Sequence, residues 1–179
     1  MVKIASCSST KYLFDKISNP ELIGYKVNLH TEVFSDREMA VQYMESIRGC
    51  DLFLFGDTSK NLTELLLAID GAKRSSCKTL TVILPYYGYG RQDKKDGHRG
   101  SLGASVMAHA LESFGISRVV SIDLHADQIQ GMFHIPLEHI KGHSIFINYI
   151  QNYIDLSNVI LCSPDSGGVH RVQKYGNKL

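Results

Sequence analysis

Residues 80–99 read LTVILPYYGYGRQDKKDGHR. The first five, Leu80–Leu84, form a short apolar run, which is typical of a buried strand. A segment rich in Gly and Tyr follows, and it leads into a dense cluster of charged residues before a helical pattern begins at Ser101. A core strand, a charged loop and a helix in succession form the repeating unit of α/β folds, so this stretch predicts that architecture.

The rest of the chain alternates short apolar runs with helical patterns in the same way. Strands or extended segments are predicted at Val2–Ala5, Tyr25–Val33, Met39–Tyr43, Asp51–Phe55, Leu80–Leu84, Arg118–Ile122 and Asn158–Cys162. Helices are predicted at Thr10–Ile17 and Asn61–Ser75, and from an N-cap at Ser101 to just before Gly115. The order of these elements predicts an α/β fold with a mostly parallel sheet flanked by helices.

Ligands of such sheets bind beyond the carboxyl ends of the strands. This rule predicts that three loops, residues 85–100, 123–134 and 163–168, lie along one rim. All three loops carry charged residues. Their predicted convergence favours a binding site for a charged ligand.

Composition excludes several classes of partner. The chain has 179 residues, of which 44% are hydrophobic and 21% are charged, as in a soluble globular protein. The net charge of +1 provides no general field for nucleic acid or an anionic membrane, so any anion site must be local. The four cysteines have neither C-x-x-C nor zinc-site spacing, and no signal peptide or membrane span is evident. These features predict a cytoplasmic protein.

The loop that follows Leu84 has the chemistry of a polyphosphate site. Its cations are Arg91, Lys94, Lys95 and Arg99. Arginine offers a planar fork of donors that matches phosphate oxygens, and the nearby glycines allow a close approach of the backbone. A solvated surface loop is the alternative interpretation.

The other two loops place carboxylates at predicted strand ends. Asp123 and Asp127 suit Mg²⁺, and His125 suits a phosphate or a softer metal. The alternative is an Asp that caps the next short helix beside a locally satisfied His. Asp165 precedes a Gly-Gly pair whose N–H groups are accessible to an anion at a helix start. An ordinary turn containing Pro and Gly is the alternative there.

Aromatic residues provide weaker evidence. Phe34 begins a charged turn and offers a face for stacking on a base. Tyr86, Tyr87 and Tyr89 are either platforms for a nucleotide or packing residues with hydrated hydroxyls.

Together these stretches closely resemble the ribose-phosphate pyrophosphokinase family, and the resemblance covers essentially the whole chain. It rests on five motifs in the order and spacing of the family: FSDRE (34–38), RGCD (48–51), YGRQDKK (89–95), DLHADQIQG (123–131) and SPDSGG (163–168). The third and fourth motifs are long and highly specific.

The resemblance implies an activity and a domain organisation. The family transfers the β,γ-diphosphoryl group of ATP to O1 of ribose 5-phosphate in a Mg²⁺-dependent reaction, giving phosphoribosyl pyrophosphate and AMP. The implied fold is related to the type I phosphoribosyltransferases. Residues 1–145 would form the ATP-binding N-terminal domain, and residues 146–179 the start of a truncated second domain. The implied partners are ATP, ribose 5-phosphate, and further copies of the chain or full-length synthetase subunits.

The resemblance also implies roles for individual residues. Arg91 and Gln92 would bind ATP with Asp96 nearby, and Asp123, His125 and Asp165 would lie at magnesium sites, His125 near the reacting phosphates. Asp36 and Glu38 would help to hold the adenine in a neighbouring subunit, with Phe34 stacked on it and Arg37 adding a cation. No residue is identified as a nucleophile.

The chain also departs from the family pattern. Arg37 stands where the FSDGE-like motif has Gly, Ser101 where Pro is usual, and His134 where Asp is usual near the nucleotide site. The acidic loop of the family that binds ribose 5-phosphate is not among these residues, so that site is incomplete. The alternative function is therefore a catalytically inactive relative that acts as a regulatory or structural partner of active subunits. A phosphoribosyltransferase is a more distant third.

Overall fold

The structure, a computed structural model, describes residues 1–95, 97 and 99–179. The strands are β1 (Val2–Ser6), β2 (Leu29–Val33), β3 (Met39–Tyr43), β4 (Asp51–Phe55), β5 (Thr79–Leu84), β6 (Arg118–Ile122) and β7 (Leu137–Ile140). The helices are α1 (Lys11–Phe14), α2 (Pro20–Ile23), α3 (Leu62–Arg74), α4 (Gly103–Ser113), α5 (His143–Tyr153) and α6 (Val169–Gly176). The chain divides into two compact units, Met1–Ile140 and Lys141–Leu179, and each is described by itself.

A parallel sheet forms the centre of the first unit, with the strand order β1-β4-β5-β6-β7. Its central strands are apolar because both faces are covered. In β5, for example, Leu80, Val82 and Leu84 have no exposed surface. The predicted α/β fold with a mostly parallel sheet is confirmed. Because β5 and β6 are parallel neighbours, the loops that follow them leave the same edge of the sheet.

A separate antiparallel hairpin, formed by β2 and β3, lies beside helix α3. We call residues 29–43 the arm. One face of the arm is half-buried and contains Leu29, Thr31, Val41 and Tyr43, whereas the alternate residues are exposed. Tyr43 Oη donates a hydrogen bond to the backbone oxygen of Ala68 on α3 at 3.0 Å. The alternation that predicted a half-buried strand at Met39–Tyr43 is therefore confirmed.

Helix α3 follows the predicted pattern closely. The side chain of Asn61 caps it by accepting a hydrogen bond from the Glu64 N–H. Leu65, Ala68 and Ile69 have no exposed surface, and this spacing places them on one helical face.

The start of one helix and the end of another differ from the prediction. The N-cap of α4 is Leu102 rather than Ser101, and its side chain caps nothing. Instead the backbone oxygen of Gln92 accepts a hydrogen bond from the Ala104 N–H at 3.2 Å, so the preceding loop caps the helix. The helix predicted at Thr10–Ile17 ends at Phe14, and a second short helix, α2, begins at Pro20 with the side chain of Asn19 as its cap.

Predicted and observed strands differ at both ends of the chain. The predicted strand Asn158–Cys162 is wrong: the segment is irregular after a short 3-10 turn, and Ile160 is 85% exposed. An isolated apolar run has no partner for its backbone groups, and none of the strands in the described residues lies beyond Ile140.

Two other strands also differ from the prediction. Regular strand in β2 begins at Leu29 rather than Tyr25, after a single bridge between Ile4 and Lys26. Strand β7 was not predicted, because only four residues pair with β6 at the sheet edge.

Candidate functional site

The loop that follows β5 is held tightly against its neighbours. Gly88 N–H donates to Thr58 Oγ1 at 2.8 Å, and a Cβ at Gly88 would lie 2.7 Å from the backbone nitrogen of Ser59. The Tyr87 hydroxyl donates to the backbone oxygen of Ala104 at 2.8 Å. These contacts fix the start of the loop before its charged part is reached.

The three tyrosines of this loop have different environments. Tyr87 is 4% exposed and its ring packs edge-on against Phe133 at 5.9 Å between centroids, so it is a packing residue. Burial raises the pKa of its hydroxyl, and the charge of Glu112 raises that pKa further. Tyr86 and Tyr89 are exposed, so only these two are accessible to a ligand.

The loop that follows β6 is held by the edge strand β7. Asp123 N–H donates to the backbone oxygen of Ile140 at 2.9 Å. Leu124 N–H donates to Nε2 of His139 at 3.0 Å, which places the ring proton of His139 on Nδ1 in the neutral form. Asp127 Oδ1 lies 3.0 Å from this Nδ1, but the N–H direction does not give a well-aligned hydrogen bond. The contact between His139 and Asp127 is therefore electrostatic rather than a hydrogen bond.

These two loops are joined by one side-chain hydrogen bond. Gln128 Nε2 donates to Asp93 Oδ2 at 2.7 Å. Arg91 and Gln92 lie just before Asp93 and are exposed, and Asp123 and His125 lie exposed on the other loop. The structure therefore brings the two predicted groups to one edge of the sheet.

The remaining predicted residues lie elsewhere. Phe34, Asp36, Arg37 and Glu38 form the exposed tip of the arm. Asp165 belongs to the second unit, where its Oδ1 accepts a hydrogen bond from Gly168 N–H at 2.8 Å and caps a short 3-10 turn. Asp96 lies outside the described residues.

Strained backbone is concentrated in these segments. The non-glycine residues with positive φ in the described ranges are Arg37 (73°), Ser76 (60°), Tyr89 (61°) and Asp123 (45°). Three of these four belong to the arm tip or to the two loops. Side chains rarely adopt this conformation, and it persists where the surrounding contacts determine it.

Sequence reasoning missed the side chains that hold the loops in place. The sequence pattern assigns no role to Gln128 or to His139. A short amphipathic segment such as LEHI (137–140) is a weak strand signal, and the contact between His139 and Leu124 follows only once β7 is placed beside β6. His134, expected near the nucleotide site, lies with Nδ1 3.1 Å from Glu112 Oε2 and its ring stacked on His109.

Two kinds of feature are absent from the described residues. Outside the two undescribed positions, 96 and 98, no three His, Cys, Asp or Glu residues are grouped so that they could hold a metal ion. None of the described helices combines the length and apolar character needed to cross a bilayer.

Comparison with known proteins identifies the family. Residues 2–115 match the family model described as the N-terminal domain of ribose phosphate pyrophosphokinase. The chain belongs to the ribose-phosphate pyrophosphokinase family. The ribose-phosphate pyrophosphokinase of Porphyromonas gingivalis is 44% identical over 98% of this chain, and that of Corynebacterium ammoniagenes is 40% identical over 99%.

A solved relative of the same family has the same fold. The crystal structure of phosphoribosylpyrophosphate synthetase from Mycobacterium smegmatis superposes with a TM-score of 0.90 at 34% identity and covers 98% of this chain. The chain spans 57% of the length of each of the two curated pyrophosphokinases and 60% of the solved synthetase.

Proposed function

We propose that this chain is a ribose-phosphate diphosphokinase, or its ATP-binding portion. The reaction transfers the β,γ-diphosphoryl group of ATP to O1 of ribose 5-phosphate and yields phosphoribosyl pyrophosphate and AMP. The observation that carries the proposal is the Gln128–Asp93 hydrogen bond, which links the loop that contains Arg91 and Gln92 to the loop that contains Asp123 and His125 at the carboxyl edge of a parallel sheet.

The exposed side chains of these loops suit a triphosphate. Arg91 would bind phosphate oxygens through its guanidinium fork, and Gln92 would donate from its amide. The bond from O1 of the sugar to the β-phosphorus forms, and the proton of that hydroxyl is released to water. The bond from this phosphorus to the bridging oxygen of the α-phosphate breaks, so the oxygen and its negative charge leave with AMP. Such transfers need positioning and charge stabilisation more than a covalent intermediate, which agrees with the lack of an assigned nucleophile.

The loop residues also fit a magnesium ion. Mg²⁺ prefers oxygen ligands, keeps several waters, and is commonly held by one or two carboxylates together with substrate phosphates. Asp123 is exposed at a strand end, and His125 is exposed two residues later. A site of this kind needs no group of three protein ligands. Bound there, Mg²⁺ would neutralise charge on the phosphate chain. Asp165, in the second unit, is likewise proposed to lie at a magnesium site.

The arm tip would contribute to the adenine site of a neighbouring copy. Phe34 is 45% exposed, so its face is available for stacking, and Asp36 and Glu38 offer acceptors for the amino group of the base. Because these residues lie at the exposed end of a hairpin, a homo-oligomer is the assembly in which they would act. Association with full-length synthetase subunits would serve the same purpose, in the cytoplasm that the sequence predicts.

Titration calorimetry of the 179-residue chain with a non-hydrolysable ATP analogue tests the proposal. We expect binding that depends on Mg²⁺, and a loss of at least about tenfold in Arg91→Ala, since a charge-assisted hydrogen bond contributes about 1.5–3 kcal/mol. Arg74→Ala is the matched control, because Arg74 lies at the far end of α3 and pairs with Asp70. Absence of binding at millimolar analogue contradicts the proposal.

The second candidate is a catalytically inactive relative that associates with active subunits. It is favoured by His134, which stands where the family pattern has Asp near the nucleotide site and whose Nδ1 lies 3.1 Å from Glu112 Oε2. Mixing the chain with the full-length Porphyromonas gingivalis enzyme tests it. A changed rate of AMP release, with no nucleotide bound by the chain itself, supports this candidate. An unchanged rate without co-assembly excludes it.

A further inference from the structure

Glu64, in the first turn of helix α3, has no exposed surface. Nothing in the proposed reaction uses it. A buried carboxylate is costly unless hydrogen bonds satisfy it, so its partners indicate what it does. They come from three separate segments of the first unit.

Four donors point at the two carboxylate oxygens. Ser8 N–H donates to Oε1 at 2.9 Å and Ser8 Oγ donates to Oε2 at 2.6 Å. Thr31 Oγ1 donates to Oε1 at 2.8 Å, and Asn61 Nδ2 donates to Oε2 at 3.0 Å. Both side-chain oxygens at this position must therefore act as hydrogen-bond acceptors. A glutamine would turn an amide donor toward two of these donors.

The Thr31 hydrogen bond ties the arm to this network. Thr31 lies in β2, two residues before its end at Val33, and the tip residues Phe34–Glu38 follow directly. One helical turn beyond Glu64, Ala68 accepts the hydrogen bond of Tyr43 from the other strand of the arm. Helix α3 thus holds both strands through residues i and i+4 of one face.

Packing alone does not secure the base of the arm. A cleft of about 460 Å³ opens beside it, lined by Ser8, Lys11, Lys26, Leu29 and Thr31 among others. The cleft leaves this space unfilled by side chains, so directional hydrogen bonds add to the packing of Leu29, Val41 and Tyr43 against the core.

We propose that Glu64 is a positioning residue that fixes the arm on α3 and thereby determines where the tip Phe34–Glu38 is held. The role of the tip at the adenine rests on the proposed function. The positioning itself does not depend on nucleotide.

Hydrogen exchange of the full chain, measured with mass spectrometry, tests the proposal. Thr31→Val removes one donor and keeps the shape of the side chain, so it releases the arm while Ser8 and Asn61 still satisfy Glu64. We expect exchange of arm amides to rise by about tenfold, and Glu64→Gln to raise it further. Thr31→Ser, which retains the hydroxyl, restores protection.

Glu112→Gln is the matched control. Glu112 also accepts hydrogen bonds from several donors, but they come from His134 and Ile135, which are not part of the arm. This variant is expected to increase exchange near residues 133–136 and to leave the arm unchanged. If Thr31→Val increases exchange equally across the first unit, or does not increase it in the arm, the proposal is overturned. The threonine variants decide it even where Glu64→Gln does not fold.

Calorimetry separates this proposal from the proposed function. If the unmodified chain binds the ATP analogue, Thr31→Val weakens that binding while its Mg²⁺ dependence is retained. If the unmodified chain binds none, the proposed function fails, and the exchange result still decides whether Glu64 positions the arm.

Discussion

The backbone of Arg37 has a φ of 73°, in the left-handed region that side chains rarely adopt. The turn requires it: Arg37 N–H donates to the Phe34 backbone oxygen, and Phe34 N–H donates to that of Glu38, both at 2.9 Å. Asp36 Oδ1 accepts from Glu38 N–H at 3.0 Å and closes the tip. Glycine, which the related motif has at this position, adopts the same conformation without strain.

We expect Arg37→Gly to raise the free energy of unfolding by about 0.5–1 kcal/mol. Relief of left-handed strain, about 1–2 kcal/mol, exceeds the entropy that glycine adds to the unfolded chain, roughly 0.5–1 kcal/mol. Urea unfolding measures the difference. Arg74→Gly is the control: because Arg74 is helical, the same replacement there lowers stability. A loss of stability in Arg37→Gly would mean that the arginine side chain itself holds the tip.

Glu112 responds to pH through its hydrogen bonds. Burial raises its pKa, but the hydrogen bonds from the His134 ring and from the backbone N–H groups of Ile135 and His134 outweigh burial, so the pKa lies below its ordinary value. A carboxyl with a lowered pKa stabilises the fold above the pKa it has in the unfolded chain. That stability is lost as pH falls through the folded value.

Glu112→Gln is therefore expected to destabilise the chain by about 0.5–1.5 kcal/mol at neutral pH, since the exposed and half-buried donors of His134 and Ile135 lose an ionised acceptor. The difference from the unmodified chain shrinks as pH falls from about 5 to 3, below the ordinary pKa of glutamate. Unfolding free energies measured across this range check the prediction. A difference that stays constant would show that lost packing, rather than charge, causes the effect.

At the scale of elements, Gly88 controls the entry to the loop after β5. Gly88→Ala is expected to cost about 1–3 kcal/mol, because the new Cβ would meet the backbone of Ser59. Gly24→Ala is the control, since a Cβ there has no atom within 4 Å. We expect that change to be neutral or slightly stabilising. Thermal unfolding of both variants gives the comparison, and equal midpoints would contradict the prediction.

Elements with strong local signals could be predicted from sequence. Helix α3 has a capping Asn61 and a regular apolar face, and β4 and β5 are uninterrupted apolar runs, so local residues determine them. The start of α4 could not be predicted, because the backbone of Gln92 rather than the side chain of Ser101 caps it. Asn158–Cys162 has the composition of a strand and lacks a neighbour, which composition cannot reveal.

The candidate site was predictable to the level of loops. The rule for parallel sheets predicts that the loops 85–100 and 123–134 leave one edge of the sheet, and the pairing of β5 with β6 and the Gln128–Asp93 hydrogen bond agree with it. The rule does not apply to residues 163–168, because none of the described strands leads directly into them. It could not reveal that Tyr87 is buried while Tyr86 is exposed, or that His139 accepts from Leu124, because these facts depend on side chains from different elements.

At the scale of the whole molecule, the position of the arm tip makes assembly measurable. The chain contains no tryptophan, so Phe34→Trp provides a single reporter. If the tip acts in the adenine site of a neighbouring copy, the ATP analogue quenches this fluorescence, and the quenching disappears on dilution as the oligomer dissociates. Tyr153→Trp in the second unit, 74% exposed, serves as the control that does not respond. Quenching independent of protein concentration would place the tip at its own site.

The hydrogen bond between Gln128 and Asp93 has a thermodynamic consequence. Two loops joined by a hydrogen bond do not order independently, so if the chain binds nucleotide and Mg²⁺ as proposed, the first of the two to bind stiffens both loops. The second ligand then binds to loops that are already ordered, and it binds more tightly for that reason. Linkage makes this cooperativity reciprocal: the factor by which Mg²⁺ strengthens nucleotide binding equals the factor by which nucleotide strengthens Mg²⁺ binding. Removing this hydrogen bond with Gln128→Ala would reduce both enhancements of binding by the same factor.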